Sequence, residues 1–402
     1  MQSLEATDLV RASRVLNDSL KVVQEHTCFG PLGHAIFRTL KDCGIPLRRL
    51  QIPMMRNLGF RHPIHGVIVI TVVDGKAPLL RYVSHADFDK RVEFVQQSTP
   101  YREVMDQPGA IRRHRLSHNP ENYVIFEELK EQGLEHYAVA SCTLANGANQ
   151  PFSIAAPEDS PFPEDLEERL AVLLPVISMG LSAAYQIHVS HTVATTYLGE
   201  ETARRVLIGE IRRGSYSKLQ AGIVFCDIRG FTRMSEDLGA LETVLRVNAA
   251  FETLEKPLID AGGEILKFIG DAMLISFAIR EGESEQEMVS RMLRGVEQGL
   301  AEFEQSDAYR EKGLRLGIGV HAGEVLYGNV GTPDRLDFTV MGPAVNLAAR
   351  LEAYCSRAGL SLACSGVVAE GHPDLIEIAQ ERFKGVDGPT VVYGRSGRGN
   401  LP

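Results

Sequence analysis

The chain has 402 residues, 44% of them hydrophobic and 23% charged, an ordinary globular balance but too long for one core, so two domains plus a connector are expected. A formal net charge of -10 argues against a phosphate-backbone binder, which usually carries a basic face, and no nucleic-acid partner is expected. The six cysteines (Cys28, Cys43, Cys142, Cys226, Cys355, Cys364) form no CxxC pair, and no basic segment followed by an apolar run opens the chain, so a reducing, cytoplasmic location is expected.

Residues 3–27 place Leu9, Val10, Ala12, Val15, Leu16, Leu20 and Val23 at helical spacing. A loop at Gly30–Gly33 and a short helix to about Cys43 follow, and Pro46 opens an extended stretch. Val67–Val73 is a β-branched run, and Asp74-Gly75 is a hairpin turn that lets Leu79–Val83 pair back. Residues 86–120 are polar and irregular. A helix over Ile125–Gln132 stops at Gly133, and His136–Leu144 pairs with Gln150–Ala155 across Asn146-Gly147.

Pro161 and Pro163 precede a helix from Glu164 to about Ile187. Leu170–Gly199 has no Asp, Glu, Lys or Arg, but it holds Pro175, Gln186, His188 and His191, so a buried or dimer-forming helix is expected rather than a membrane span. Tyr197-Leu198-Gly199-Glu200 opens a short connector helix with Val206, Leu207 and Ile211 on one side.

From Ala221 the texture changes. Ala221–Cys226 is an apolar strand ending in Asp227, and Leu238–Ala261 is a helix closed by Gly262-Gly263. Glu264–Phe268 and Ala272–Ala278 are strands around Gly270-Asp271. Glu285–Phe303 is helical, Leu314–His321 and Phe338–Met341 are strands, Ala344–Tyr354 is a helix, and Leu360–Cys364 and Thr390–Tyr393 close the sheet. Strands alternating with helices give an α/β sandwich, whereas the first half is α+β.

Two aspartates stand out. If their strands are neighbours, Asp227 and Asp271 meet at one sheet edge, as Mg²⁺ prefers; each alone also fits a helix cap or a turn. Lys267 lies between Leu266 and Phe268, partly buried and able to donate to a base edge. Asn346 and Arg350, four apart on a helix, share a face and suit a ribose and a phosphate.

These segments resemble the class III adenylate/guanylate cyclase catalytic domain over about Ala221 to Tyr393. The resemblance rests on Phe225-Cys226-Asp227-Ile228-Arg229-Gly230-Phe231-Thr232, on Lys267-Phe268-Ile269-Gly270-Asp271, and on Val345-Asn346-Leu347-Ala348-Ala349-Arg350-Leu351, with Val320–Gly323 and Gly328–Gly331 between. It implies an adenylate cyclase that converts ATP to 3′,5′-cyclic AMP and pyrophosphate in bacterial-type signalling. Asp227, Asp271 and the Ile228 carbonyl would hold two Mg²⁺ or Mn²⁺ ions per active site. Lys267 and Thr339 occupy the adenine-reading positions, Asn346 would orient the ribose, Arg350 would stabilise charge on the α-phosphate, and Lys384 is a candidate for the polyphosphate. It also implies a homodimer with two composite active sites.

Guanine-reading relatives usually carry Glu and Cys at the two base positions, which disfavours a guanylate cyclase. A silent regulatory module lacks the intact set Asp227, Asp271, Asn346 and Arg350. A cyclic-di-nucleotide synthase would need an acidic turn where Gly270-Asp271-Ala272 stands.

The order of elements over residues 30–190 resembles a GAF domain, closest at Gly133–Ala156, Phe162 and the long helix. The expected organisation is 1–190 a GAF-like sensory or dimerisation domain with a small-molecule ligand as its candidate partner, 191–219 a helical connector, and 220–396 the cyclase domain. His62 and His65, or His114 and His118, lack the further ligand spacing of a metal site, so surface or core histidines are expected.

Overall fold

The structure, a computed structural model, describes residues 29–54, 67–83, 99–118, 123–212, 214–386 and 388–395. The helix expected over 3–27, with His62 and His65, lies outside the described residues. The chain divides into two units, Met1–Thr192 and Val193–Pro402.

The first unit comprises α1 (Phe29–Asp42), β1 (Arg49–Met54), β2 (Val67–Val73), β3 (Leu79–Val83), α2 (Arg102–Met105), β4 (Ile111–Arg115), α3 (Val124–Glu131), β5 (Leu134–Thr143), β6 (Asn149–Pro157) and α4 (Leu166–Leu198). Its strands form one antiparallel sheet in the order β3-β2-β1-β6-β5-β4. Period-two alternation splits the sheet into two packed faces. Ala138, Ala140 and Cys142 of β5 join α1 and α4 in the larger core, while Tyr137 and Val139 meet Val104, Phe126 and Leu129 on the other face.

Three expectations are corrected here. The Gly30–Gly33 segment is not a loop but the first turns of α1. A Cβ on Gly33 would meet Ile70 Cγ2 at 2.6 Å, so this glycine lets helix and sheet approach rather than turning the chain. The polar stretch 86–120 is not wholly irregular, since its described part supplies α2 and β4. Finally, α4 continues past Ile187 to Leu198. It is the one helix among the described residues long and apolar enough to cross a membrane. Its residues Leu166, Leu170, Leu173, Leu174, Ile177, Leu181 and Ala184 are nevertheless buried in the core of the first unit, each large one contributing roughly 1.5–3 kcal/mol.

The second unit runs through α5 (Glu200–Leu207), β7 (Tyr216–Ile228), α6 (Phe231–Leu238), α7 (Ala240–Asp260), β8 (Glu264–Ile269), β9 (Ala272–Ala278), α8 (Glu285–Gln305), α9 (Asp307–Arg310), β10 (Leu316–Thr332), β11 (Arg335–Met341), α10 (Pro343–Ala358), β12 (Leu362–Ser365), α11 (Gly366–Ala369), β13 (Leu375–Glu381) and β14 (Thr390–Arg395). The sheet order is β13-β14-β12-β10-β7-β9-β8, with β11 paired to the outer half of β10. Among the described residues of this sheet, only the β10–β12 pair is parallel. One face packs on α7 and α8, the latter started by a Ser284–Glu287 capping box. The other face carries Ile223, Leu274, Val325 and Tyr327 against Ala344 and Ala348 of α10.

Strand β10 extends far beyond the expected Leu314–His321, and β13 was not anticipated. Of the connector residues expected to share one side, Val206 packs on the unit, while Leu207 and Ile211 are exposed.

Candidate active site

The pairing of β7 with β9 sets Asp227 opposite Ala272, so Asp271, in the turn just before, lies at the same sheet edge. The Ile228 N–H donates to the Asp271 carbonyl at 3.2 Å. Burial, and then the like charge on Asp271, pushes the Asp227 carboxyl up to about 6. Its Oδ1 is buried without a hydrogen-bond partner among the described residues. A buried, unpartnered acceptor beside a second carboxylate is what a bound cation would satisfy, so these residues fit a divalent metal.

Helix α10 lies across β10 and β7. Its Ala344, Ala348, Leu351, Glu352 and Cys355 are buried, whereas Asn346 and Arg350 are exposed on the opposite side. Val345 and Ala349 are half-buried. Two glycines of β10 permit the close approach. A Cβ on Gly319 would lie 2.1 Å from the Ala348 carbonyl oxygen and 2.3 Å from the Glu352 nitrogen, and one on Gly317 would meet Glu352 Oε1 at 2.9 Å.

The residue that α10 turns toward the two aspartates of its own chain is Glu352, not Arg350. Burial first, then the charges of Asp227 and Asp271, hold the Glu352 carboxyl up at about 7, with Arg229 acting the other way. Arg229, next to the Asp227-Ile228 pair, donates to the Cys355 carbonyl at 3.2 Å and so ties the strand end to α10. Neither Glu352 nor Arg229 was singled out from the sequence. The available signal was a carboxylate two residues past Arg350, on a helix face otherwise made of Ala, Leu and Cys.

Lys267 sits on the edge strand β8, just past a break in its register with β9. Its ammonium donates to Asp337 Oδ2 at 2.9 Å. Thr339 follows two residues later on β11 and is buried. Lys384 is exposed in the turn between β13 and β14, and the neighbouring Phe383 packs with Leu351 and Tyr354 of α10.

The connector helix α5 is built into this unit. The Glu264 carboxylate accepts from the Thr202 N–H at 3.0 Å, at the start of α5, and from the Tyr327 hydroxyl at 3.1 Å. The Arg205 guanidinium lies over the Tyr327 ring, 5.0 Å from its centroid. Glu264 stands three residues before Lys267, and Tyr327 is paired with Val340, next to Thr339.

His114 lies 3.2 Å from Glu103 and packs against Tyr123 and Phe126, a core position, and His118 pairs with Ser117. Among the described residues no cluster of three or more His, Cys, Asp or Glu could hold a metal.

Residues 215–366, within the second unit, match the family model of the adenylate and guanylate cyclase catalytic domain. The adenylate cyclase of Anabaena cylindrica is 36% identical over 160 residues, which span 39% of this chain and 31% of that protein. Adenylate cyclase 1 of Rhizobium meliloti is 31% identical over 158 residues, 38% of this chain and 24% of its own length. The chain thus spans less than a third of these curated relatives. A solved bacterial light-regulated adenylyl cyclase is 27% identical with a TM-score of 0.46, covering 56% of this chain and 64% of that one.

Proposed function

We propose that the chain is an adenylate cyclase that forms 3′,5′-cyclic AMP and pyrophosphate from ATP, as a two-fold homodimer whose two active sites each draw on both copies. The observation that carries this is the opposed facing of α10. Its Asn346 and Arg350 point away from the side on which Glu352 meets the electrostatic field of Asp227 and Asp271. One copy therefore holds both halves of the machinery without joining them, and a second copy related by a two-fold axis would complete each site. Exposed apolar side chains offer a surface for it: Leu241, Val244 and Leu245 on α7, and Phe268 and Ile269 on β8.

In this reading Asp227, Asp271 and the Ile228 carbonyl hold two divalent cations, Mg²⁺ or Mn²⁺, which when bound acidify the ribose 3′-hydroxyl and neutralise phosphate charge. The 3′-hydroxyl gives up its proton to water or to a phosphate oxygen of the substrate, its oxygen bonds to the α-phosphorus as the bond from that phosphorus to the bridging oxygen breaks, and pyrophosphate departs on the opposite side. Asn346 orients the ribose so that this line is held, and orientation of this kind is worth several kcal/mol. Arg350 places positive charge where the pentavalent phosphorus gathers negative charge. Lys267 and Thr339 read adenine, and Lys384 serves the polyphosphate.

The first unit is proposed as a GAF-like sensory domain, 1–190, joined by the connector 191–219 to the catalytic domain 220–396, all in the cytoplasm. Its sheet order β3-β2-β1-β6-β5-β4 with flanking helices supports that reading. The test is turnover of the purified full chain with ATP and with GTP, each with Mg²⁺ and with Mn²⁺. Cyclic AMP with a clear preference for ATP is expected. A preference for GTP, or no cyclic product under any condition, overturns the assignment.

A further inference from the structure

We propose that Asp337 is a specificity-determining positioning residue for the purine, acting through Lys267. This inference rests on the cyclase reading above, in which Lys267 and Thr339 face the base. Nothing in the sequence motifs pointed to Asp337. It is singled out because it is the acidic group on which the Lys267 ammonium rests, at 2.9 Å.

The geometry gives this contact its meaning. Strand β8 is the last strand of its side of the sheet, and β11 pairs only with β10, so no main-chain ladder joins β8 to β11. The Lys267–Asp337 pair bridges them. On β11, Asp337 is opposite Val330 and Thr339 is opposite Gly328, so the two side chains lie on the same face one strand repeat apart. The row therefore reads acceptor, hydroxyl, with an ammonium suspended from the acceptor end. The Lys267 side chain is 27% exposed and that of Asp337 67%, and an ammonium held by one acceptor has further N–H donors to offer.

An ammonium donates and cannot accept. By itself it satisfies N1 of adenine or O6 of guanine equally well. The choice between the two bases then depends on where the ammonium is held relative to Thr339, whose hydroxyl can accept from the 6-amino group of adenine. A four-carbon lysine chain released from its acceptor explores several rotamers, including ones that reach a guanine O6. Asp337 removes that freedom. Because Asp337 is largely exposed, the pair contributes little to stability, and loss of it should appear in nucleotide choice rather than in folding.

The test uses the full chain with Asp337→Ala, Asp337→Glu, Lys267→Ala and the Lys267→Ala/Asp337→Ala double variant. Asp337→Ala is expected to lower the ratio of kcat/KM for ATP to that for GTP roughly two- to fivefold, mainly through a higher KM for ATP. Asp337→Glu should recover most of the ratio. In the Lys267→Ala background, Asp337→Ala should change the ratio no further, because its route of action is gone. An unmoved ratio in Asp337→Ala, or an equal effect with and without Lys267, overturns the proposal. So does a matched fall in kcat for both nucleotides with a lowered melting temperature, which marks a merely structural role. If the wild-type chain makes no cyclic product, the cyclase reading fails on its own. The affinity ratio for ATP over GTP, measured by calorimetry on the same variants, then decides the role of Asp337, and failure to bind either nucleotide sinks both.

Discussion

Substituting Gly319 with alanine should disable the chemistry by moving a helix that the residue itself does not belong to. The added methyl would sit 2.1 Å from the Ala348 carbonyl oxygen, 2.3 Å from the Glu352 nitrogen and 2.9 Å from the Glu352 Cα, all backbone atoms of α10. No rotamer change relieves such a contact. For the closest of them to reach 3.0 Å, α10 must withdraw from β10 by about an ångström, carrying Asn346 and Arg350 with it. A misplacement of about 1 Å at groups that orient the reacting atoms costs on the order of 10²-fold in rate. The strain itself should cost about 1–3 kcal/mol, or a few degrees to about ten degrees in melting temperature for a unit of this size. Gly222→Ala is the control. Its methyl would meet Met292 Sδ at 2.4 Å and Met288 Sδ at 2.9 Å, but these are ends of flexible side chains, on the sheet face away from α10. Cyclic AMP formation, assayed well below both melting temperatures, should fall about a hundredfold for Gly319→Ala and less than about threefold for Gly222→Ala by the same reasoning. Gly319→Ala with more than half the wild-type turnover and an unchanged melting temperature would refute the account of how α10 is placed.

Asp227→Ala and Arg350→Ala should each be nearly inactive alone, but equal mixing with subunit exchange should restore roughly a quarter of wild-type turnover, since half the dimers then hold one intact site; no recovery means a site within one chain. Asp227→Asn should abolish turnover yet raise the melting temperature in chelator at neutral pH, because the native carboxyl is held up at about 6 and its charge opposes folding; a lower melting temperature contradicts this. His321, its Nδ1 2.7 Å from Ser365 Oγ, is lowered by burial to about 4, below its unfolded value of about 6.5. The stability this gives is complete above about pH 6.5 and is lost as pH falls toward 4, by about 2 kcal/mol at pH 5. The urea midpoint of wild type should therefore drop relative to His321→Gln between pH 7.5 and 5, and parallel curves would contradict it.

What the sequence disclosed depended on whether local pattern decides the conformation. Val67–Val73 and Leu79–Val83 are strands with the expected bounds, because β-branched runs around an Asp-Gly turn leave little choice. Strand β10 was cut short because Gly323, Gly328 and Gly331 weaken its local preference, and only pairing with β7 and β11 holds it extended. Glycines 30 and 33 suggested a loop for the same local reason, although tertiary packing had reserved that surface for a helix. Asp227, Asp271, Lys267, Asn346 and Arg350 stood out as candidates by residue type and spacing, and Thr339 through the family resemblance alone. Asp337, Glu352 and Glu264 did not, because each owes its place to a partner at least 60 residues away in the chain.

The Glu264 carboxylate bears on how far the second unit extends ahead of the segment that resembles the cyclases. Similarity to known cyclases starts at residue 215, but the buried acid at 264 takes two of its donors' worth of stabilisation from Thr202, through its N–H at 3.0 Å and its hydroxyl at 3.3 Å. A fragment excised at the similarity boundary would keep that carboxylate and lose those donors. It would also strip the Arg205 guanidinium from the Tyr327 ring. Glu264 would keep only the Tyr327 hydroxyl, and losing hydrogen bonds to a charged acceptor costs about 1–3 kcal/mol, a sizeable share of a domain's stability. The contacts that hold this unit together thus reach one helix beyond the matched segment, and a boundary drawn before Gly199 keeps them where one drawn at residue 215 does not.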